Sequence, residues 1–241
     1  MTRLDVKNLR FRQVNEKIED TGDRDIVLEN VCGQRYIGAG SSGRHIVIEG
    51  VPGNALGAYL DGTQIETCGN AQDATGDTMN AGQITIAGSS GDATGYAMRG
   101  GRIFVRGNVG YRAGIHMKAY QEKVPVIIVG GETGCFLGEY QAGGLIVVLG
   151  LNTSGKAPVD AFCATGMHGG SIFLRIDLLP DDLPDQVVAH RAEKADLEVI
   201  RPHVHDFCAA FGLDENAVMD HPFYCLKPNT NNPYKQLYTQ N

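Results

Sequence analysis

The sequence contains no tryptophan, and no part of it approaches the roughly 18 consecutive apolar residues that a membrane-spanning helix requires. Its first twenty residues contain no apolar core of signal-peptide length, so we expect a cytoplasmic protein. There is no GxxxxGK[ST] motif, and no GxGxxG motif at a predicted strand-to-helix junction, which argues against a nucleotide-binding site. The formal charge of −7 argues against nucleic acid or an anionic membrane as the main partner.

Closely spaced cysteines are also missing. The six cysteines are scattered without a CxxC pair, which favours buried free thiols over zinc or iron–sulfur sites. The pair His203 and His205 lies at i and i+2 of a predicted helix, so the two side chains point to different faces. We therefore expect this chain to contain no catalytic, cofactor-binding or metal-binding residue.

Glycine, in contrast, is abundant: 32 of the 241 residues are glycine, about 13% against a usual ~7%. Many of them recur at a spacing of 19 residues, with two shifts of register, by five residues within Lys118–Pro125 and by seven within 151–163. Isoleucines and methionines follow the same spacing, including Met79, Met98 and Met117. The predicted corners of these repeats are Gly57, Gly76, Gly95, Gly114 and Gly138.

The repeat predicts an architecture. The segments "HIVIEG", "QITIAG", "RIFVRG" and "LIVVLG" are short and rich in β-branched residues, which is typical of strands. A unit of 19 residues cannot bury its own apolar face, whereas stacked units can. We therefore predict an all-β, single-stranded β-helix or solenoid of about seven coils, with a short α-helical appendage at its C-terminal end.

Three regions are expected: N-terminal strands that form a cap (1–33), the β-helix (34–177), and a helical appendage with a tail (178–241). The N-terminal region contains the strand-like segments "TRLDVKN" and "DIVLENV". In the C-terminal region, "DDLPDQVVAHRAEKA" has the acidic residues and proline of a helix start, and "RPHVHDFCAAFG" is typical of a helix that ends at Gly212. The final segment, "KPNTNNPYKQLYTQN", is predicted to be irregular.

The segments "GYAMRGGRIFVRGNVGYRAGIHMKAY", "FLGEYQAGGLIVVLGL" and "GMHGGSIFLR" resemble the C-terminal domain of the glutamate synthase large subunit. The similarity is to the stand-alone, archaeal-type form of this GXGXG family, which is distantly related to the β-helical subunit of formylmethanofuran dehydrogenase. Gln141 departs from the family pattern, which has methionine there.

The resemblance implies a right-handed β-helix without a cofactor of its own. It implies a non-catalytic subunit of a multi-subunit glutamate synthase, which forms glutamate from glutamine and 2-oxoglutarate. The implied partners are an amidotransferase subunit and a synthase subunit with FMN and iron–sulfur clusters, with NAD(P)H and FAD also expected in partner subunits. The alternatives are the matching subunit of N-methylglutamate synthase, a scaffold of a formylmethanofuran-dehydrogenase-like C1 enzyme, and an enzyme that acts alone.

Polar residues concentrate near the two register shifts, where loops that bulge from a rigid repeat commonly carry function. They form either a solvated outer face with ion pairs at the corners, or a surface that docks partner subunits or lines part of an ammonia path. The candidate interface residues are Arg99, Arg112, His116, Lys118, Glu139, Tyr140 and His168.

Overall fold

A computed structural model describes residues 1–153 and 156–229. In this part of the chain, eleven strands form one open sheet, with three helices beside it. The prediction of a mostly β protein with few helices is confirmed. No helix in the described residues is both long and apolar enough to cross a membrane. In chain order the elements are β1 (Thr2–Asp5), α1 (Phe11–Asp20), β2 (Asp25–Cys32), β3 (His45–Val51), β4 (Asp61–Thr67), β5 (Ala81–Ile86), β6 (Arg102–Val105), β7 (Val126–Val129), β8 (Ala142–Val148), β9 (Gly169–Arg175), β10 (Val187–Arg191), α2 (Lys194–Phe211), α3 (Glu215–Met219) and β11 (Phe223–Pro228).

Strands β1 to β9 pair in parallel and in chain order, and one column of isoleucines runs through this ladder from β2 to β9. The paired residues are 19 apart from β3 to β6, and the offset grows to 24 and 26 at the two predicted insertions. Every isoleucine of the column is fully buried: Ile26, Ile46, Ile65, Ile84, Ile103, Ile127, Ile146 and Ile172.

Between consecutive strands lies a turn whose backbone is hydrogen-bonded to the turn before it. The amide of Gly95 donates to the carbonyl of Thr75 over 2.7 Å, and that of Gly114 donates to Thr94 over 2.8 Å. Three alternate residues of each turn have positive φ; in one turn these are Arg112 (+56°), Gly114 (+70°) and His116 (+55°). Seven such turns occur in the described residues, centred on Gly38, Gly57, Gly76, Gly95, Gly114, Gly138 and Ala164.

The central residue of the turn must be small because it faces the isoleucine column. A Cβ built on Gly95 would lie 2.4 Å from Cδ1 of Ile127, and one on Gly114 would lie 2.5 Å from Cδ1 of Ile146. The same approach, at 2.4–2.7 Å, occurs at the other predicted corners: Gly57, Gly76 and Gly138.

Met79, Met98 and Met117 lie three residues after the turn centres Gly76, Gly95 and Gly114 and form a fully buried column. Gln141 occupies the next position of this column and is also fully buried. Its Nε2 donates to the carbonyls of Gly143 and Gly144 at 3.3 and 3.1 Å, while its Oε1 has no hydrogen-bond partner among the residues that the structure describes. The departure from the family's methionine therefore places one unsatisfied acceptor in the core.

Helix α1 closes the N-terminal end of this core. Val14 and Ile18, one turn apart on the same face, are buried against the cluster that contains Ile26 and Ile46. The two predicted strand segments of this region are β1 and β2, but the helix between them was not predicted. Phe11, Val14 and Ile18 lie at i, i+3 and i+7, the spacing of an amphipathic helix, and this was the signal that could have found it.

At the other end, β11 pairs antiparallel with β9 and with β10, which forms the edge of the sheet. The helix predicted for "DDLPDQVVAHRAEKA" is therefore wrong: Val187–Arg191 is a strand, and α2 begins at Lys194. The predicted helix end is correct, because Gly212 caps α2 in the left-handed conformation (φ +64°). The start of the segment predicted to be irregular, Lys227–Pro228, belongs to β11, and residues 230–241 lie outside the described residues.

Helix α2 packs on the outer face of the sheet over β6 to β9 and over β11. There the outward column is apolar, with Phe104, Ile128, Val147 and Phe173 in register, and it packs against Val204 and Phe207 among others. In β3 to β5 the residues of the same column are Val47, Glu66 and Thr85. Polar residues at this position are typical of a sheet face that is exposed to solvent.

Candidate functional site

Most of the predicted interface residues lie on the turns, because the 19-residue repeat places equivalent positions of neighbouring turns side by side. The insertion before Pro125 extends the offset to 24, so Arg112 lies beside Phe136 and His116 lies beside Tyr140. Backbone hydrogen bonds hold this alignment, from Arg112 N to Cys135 O at 2.9 Å and from His116 N to Glu139 O at 3.0 Å.

Aromatic rings stack along this face. The rings of His116 and Tyr140 are nearly parallel, with centroids 5.4 Å apart and an interplanar angle of 9°. Tyr96 contacts His116 edge-on at 6.0 Å. On its other side, the Tyr140 ring lies over Gly166, where an added Cβ would be only 2.4 Å from the ring carbon Cδ1. Because Gly166 has no side chain, the ring of Tyr140 can pack directly against the backbone of the next turn.

A charged pair lies beside the stack. Arg112 Nε donates to Glu139 Oε2 at 2.8 Å, and the arginine also lies over the ring of Phe136, 5.2 Å from its centroid. Phe136 in turn stacks on Phe162 at 4.9 Å. Glu139 is 8% exposed, whereas the side chain of Arg112 is half exposed. The arginine therefore neutralises a buried carboxylate and presents its remaining N–H groups to solvent.

Together these side chains form one exposed surface, with Phe162 54%, Tyr96 40% and Tyr140 38% exposed. We call it the turn-face patch: Tyr96, Arg112, His116, Phe136, Glu139, Tyr140 and Phe162. Sequence reasoning found four of these residues and missed Tyr96, Phe136 and Phe162. Phe136 and Phe162 occupy the same position of the repeat as Arg112, two residues before the turn centre, and that position was the signal that could have found them.

The other three predicted residues, Arg99, Lys118 and His168, occupy a second row, four residues after the turn centres. His168 Nδ1 lies 3.1 Å from the carbonyl oxygen of Gly166. In the ranges 1–153 and 156–229, the side chains of Arg99 and Lys118 make no hydrogen bond or ion pair. Arg99 and Lys118 thus add positive charge next to the patch.

The patch is a surface and not a cavity. A pocket of about 720 Å³ lies elsewhere, at the N-terminal end of the sheet, and no patch residue lines it. Arginine and tyrosine are enriched at protein–protein interfaces, since they bury a large area and still hydrogen-bond at one end. The geometry of the patch therefore suits recognition of another protein better than enclosure of a small substrate.

A parallel sheet built on glycine-centred repeats, with its exposed aromatic side chains on the turns, defines a class of repeat protein in which each unit packs on its neighbours. The chain belongs to the GXGXG motif family, whose model matches residues 10–226. The family-level part of the resemblance is thereby confirmed.

Two further similarities were found. The chain is 43% identical over 249 residues to the uncharacterized protein MJ1350 of Methanocaldococcus jannaschii, an alignment that covers 98% of this chain and 95% of the relative. A chain of the formyltransferase/hydrolase complex (FhcABCD) from Methylorubrum extorquens, solved in complex with methylofuran, superposes with a TM-score of 0.63. That alignment covers 90% of this chain and 87% of the other at 19% identity, and it shows a shared fold alone.

Proposed function

We propose that this chain is a non-catalytic subunit of a multi-subunit enzyme and that the turn-face patch docks a partner subunit. The observation that carries the proposal is the patch itself: exposed aromatic rings and a half-exposed arginine, fixed on consecutive hydrogen-bonded turns. Each side chain is held by its neighbours before a partner arrives, so docking costs little side-chain entropy. The similarity to a chain of a multi-subunit complex supports a role beside partners.

Within this proposal, the complex is a glutamate synthase of the split, archaeal type. The quoted motifs and the family membership support this assignment. The chain then holds an amidotransferase subunit and a flavin and iron–sulfur synthase subunit at a fixed distance, and FMN, iron–sulfur clusters, FAD and NAD(P)H belong to those partners. The stacked repeats are proposed to wind as a right-handed β-helix, whose hydrogen-bonded turns make it stiff enough to keep that distance.

A second candidate is a scaffold in a C1-transfer complex, and the structural similarity to the formyltransferase/hydrolase complex favours it. An N-methylglutamate synthase is a variant of the first candidate. Purification of a tagged chain from its native source, followed by mass spectrometry and activity assays, separates them. Glutamine-dependent formation of glutamate by a flavin-containing complex supports the first candidate, and formyl transfer supports the second. Electron cryomicroscopy of that complex would show both the docking site and the direction of winding.

The patch is tested in the same complex by His116→Ala and Tyr140→Ala. Each removes one ring of the stack, and we expect partner affinity to fall by about 30-fold if the residue is a hot spot worth about 2 kcal/mol. The matched control is Tyr59→Ala, since Tyr59 occupies the same position of its own turn, is 58% exposed and lies outside the patch. Equal capture of partners by all three variants would remove the patch from the interface.

The pair Arg112–Glu139 requires a different design. Arg112→Ala alone would leave the carboxylate of Glu139 buried and unpaired, which costs about 1–3 kcal/mol of folding free energy. The double variant Arg112→Ala with Glu139→Gln removes the cation without creating that buried charge. A loss of partner capture by the double variant, at an unchanged melting temperature, would assign the arginine to docking.

A further inference from the structure

Away from the patch, three elements bring three metal-ligating side chains to one point at the C-terminal edge of the sheet. His190 on β10 and Cys225 on β11 are directly paired residues of the antiparallel ladder, so both side chains point to the same face. Asp196 lies in the first turn of α2, which begins three residues after β10 ends and folds back over this face. One ligating atom of each residue lies within 4.8 Å of the other two.

The three groups are already arranged around a shared position. His190 Nε2 lies 2.9 Å from Asp196 Oδ2, and the Asp196 side chain is 15% exposed. Cys225 is fully buried, while His190 is open to solvent on one side, which provides a way in. In a tetrahedral zinc site with ligand bonds of about 2.0–2.3 Å, neighbouring ligand atoms are separated by about 3.3–3.7 Å. Small side-chain adjustments would bring the three atoms to that spacing.

We propose that His190, Asp196 and Cys225 bind a zinc ion through imidazole, carboxylate and thiolate, with a fourth position open to water or to a ligand from a partner. These are three ligand types that zinc prefers, and one thiolate with one carboxylate balances the charge of Zn²⁺. The ion would join the edge strand β10, strand β11 and the start of α2. This site lies outside the turn-face patch and is independent of the proposed docking role.

When zinc is not bound, the ammonium group of Lys227 pairs with the carboxylate of Asp196. Its Nζ lies 3.1 Å from Asp196 Oδ1, and its side chain is half exposed, so it can turn into solvent when an ion binds. The ammonium group and the zinc ion compete for the same carboxylate. Removal of the lysine charge should therefore strengthen zinc binding, which a purely structural hydrogen-bond network would not do.

Sequence spacing could not reveal this cluster. The three residues belong to separate elements, and Cys225 has no second cysteine at metal-binding spacing. The expectation that the chain has no metal-binding residue rested on that missing pair. Antiparallel pairing of β10 with β11 creates the proximity, and β10 was itself predicted to be part of a helix.

The test uses the full-length chain, stripped with a chelator and titrated with Co²⁺ and then with Zn²⁺. We expect one equivalent of Co²⁺ to produce a thiolate-to-cobalt charge-transfer band, which Zn²⁺ abolishes by displacement. Cys225→Ser should lose the band, while Cys208→Ser, a change at another buried cysteine outside the cluster, should keep it. A wild-type chain that binds neither metal, or a band that persists in Cys225→Ser, would overturn the proposal.

Because Cys225 is fully buried, its serine variant can fail to fold, and a second variant then decides. His190→Ala changes a partly exposed residue and should weaken zinc binding at least tenfold, with the circular dichroism spectrum unchanged. Lys227→Gln should bind zinc more tightly than the wild type. Unchanged affinity in His190→Ala, or weaker binding in Lys227→Gln, would contradict the site. Neither result bears on partner capture by the turn-face patch.

Discussion

At the scale of single residues, the turn centres are set by two separate constraints. Gly95 has φ +72°, where a side chain costs about 1–2 kcal/mol, and an added Cβ would collide with Cδ1 of Ile127. We expect Gly95→Ala to lower the free energy of unfolding by about 2–4 kcal/mol, the sum of backbone strain and overpacking. Urea denaturation followed by circular dichroism measures the loss.

The two constraints can be separated with a matched control. Gly43 has nearly the same φ, +67°, but no atom of the described residues lies within 4 Å of a Cβ built on it, so Gly43→Ala should cost only the backbone strain. Combining Gly95→Ala with Ile127→Val removes the colliding Cδ1 methyl and should recover part of the loss. If Gly43→Ala and Gly95→Ala cost the same, packing against the isoleucine column does not determine the glycine.

At the scale of elements, the question is why α2 lies where it does. The helix covers only the strands whose outward column is apolar, and Phe207 contacts Phe104 edge-on at 5.8 Å between centroids. We expect Phe207→Ala to destabilise the protein by about 3–5 kcal/mol, because a fully buried ring is removed. Val199→Ala changes an exposed residue of the same helix and should have little effect. Thermal melts of both variants check the assignment, which a small effect of Phe207→Ala would refute.

The strands and helices differ in how far the sequence could predict them. The strands of the repeat were predictable, since Ile65, Ile84 and Ile103 repeat in one register and each lies before a glycine. The C-terminal end of α2 was predictable from Gly212. Strand β10 was not, because its sequence VVAHR alternates too briefly to separate strand from helix, and only pairing with β11 decides between them. Long-range partners determine such short segments, and local patterns do not contain them.

The candidate site was predictable to a similar degree. Arg112, His116, Glu139 and Tyr140 were chosen as polar residues left over after the repeat was explained, and they do lie together. The contact of Arg112 with Phe136, and that of Phe136 with Phe162, depend on how the five- and seven-residue insertions shift neighbouring turns. The sequence shows that such shifts exist, but the packing of the rings follows only once the turns are stacked.

At the scale of the whole molecule, a stack of repeats must satisfy the backbone groups of its first and last members. In the interior, the amide at each turn centre donates to the preceding turn, as Gly57 does to Ile37 at 2.9 Å. The first turn has no such neighbour. There the amide of Gly38 donates to Asn15 Oδ1 at 2.9 Å, and Asn15 Nδ2 donates to the carbonyl of Tyr36 at 2.9 Å. The side chain of Asn15 on α1 thus makes the hydrogen bonds that a preceding turn would otherwise make.

This cap leads to a prediction about the end of the stack. Asn15→Ala would leave the Gly38 amide without its acceptor, so we expect a loss of about 1–3 kcal/mol even though alanine is the better helix former. Glu16→Ala, a change at the exposed neighbour on α1, should be close to neutral. Asn15→Asp keeps the acceptor and should restore part of the stability. Hydrogen exchange of the Gly38 amide reports the effect directly: exchange should accelerate in Asn15→Ala while the Gly95 amide, deep in the stack, remains protected. Equal acceleration at both amides would mean that α1 stabilises the protein as a whole and does not cap its first turn.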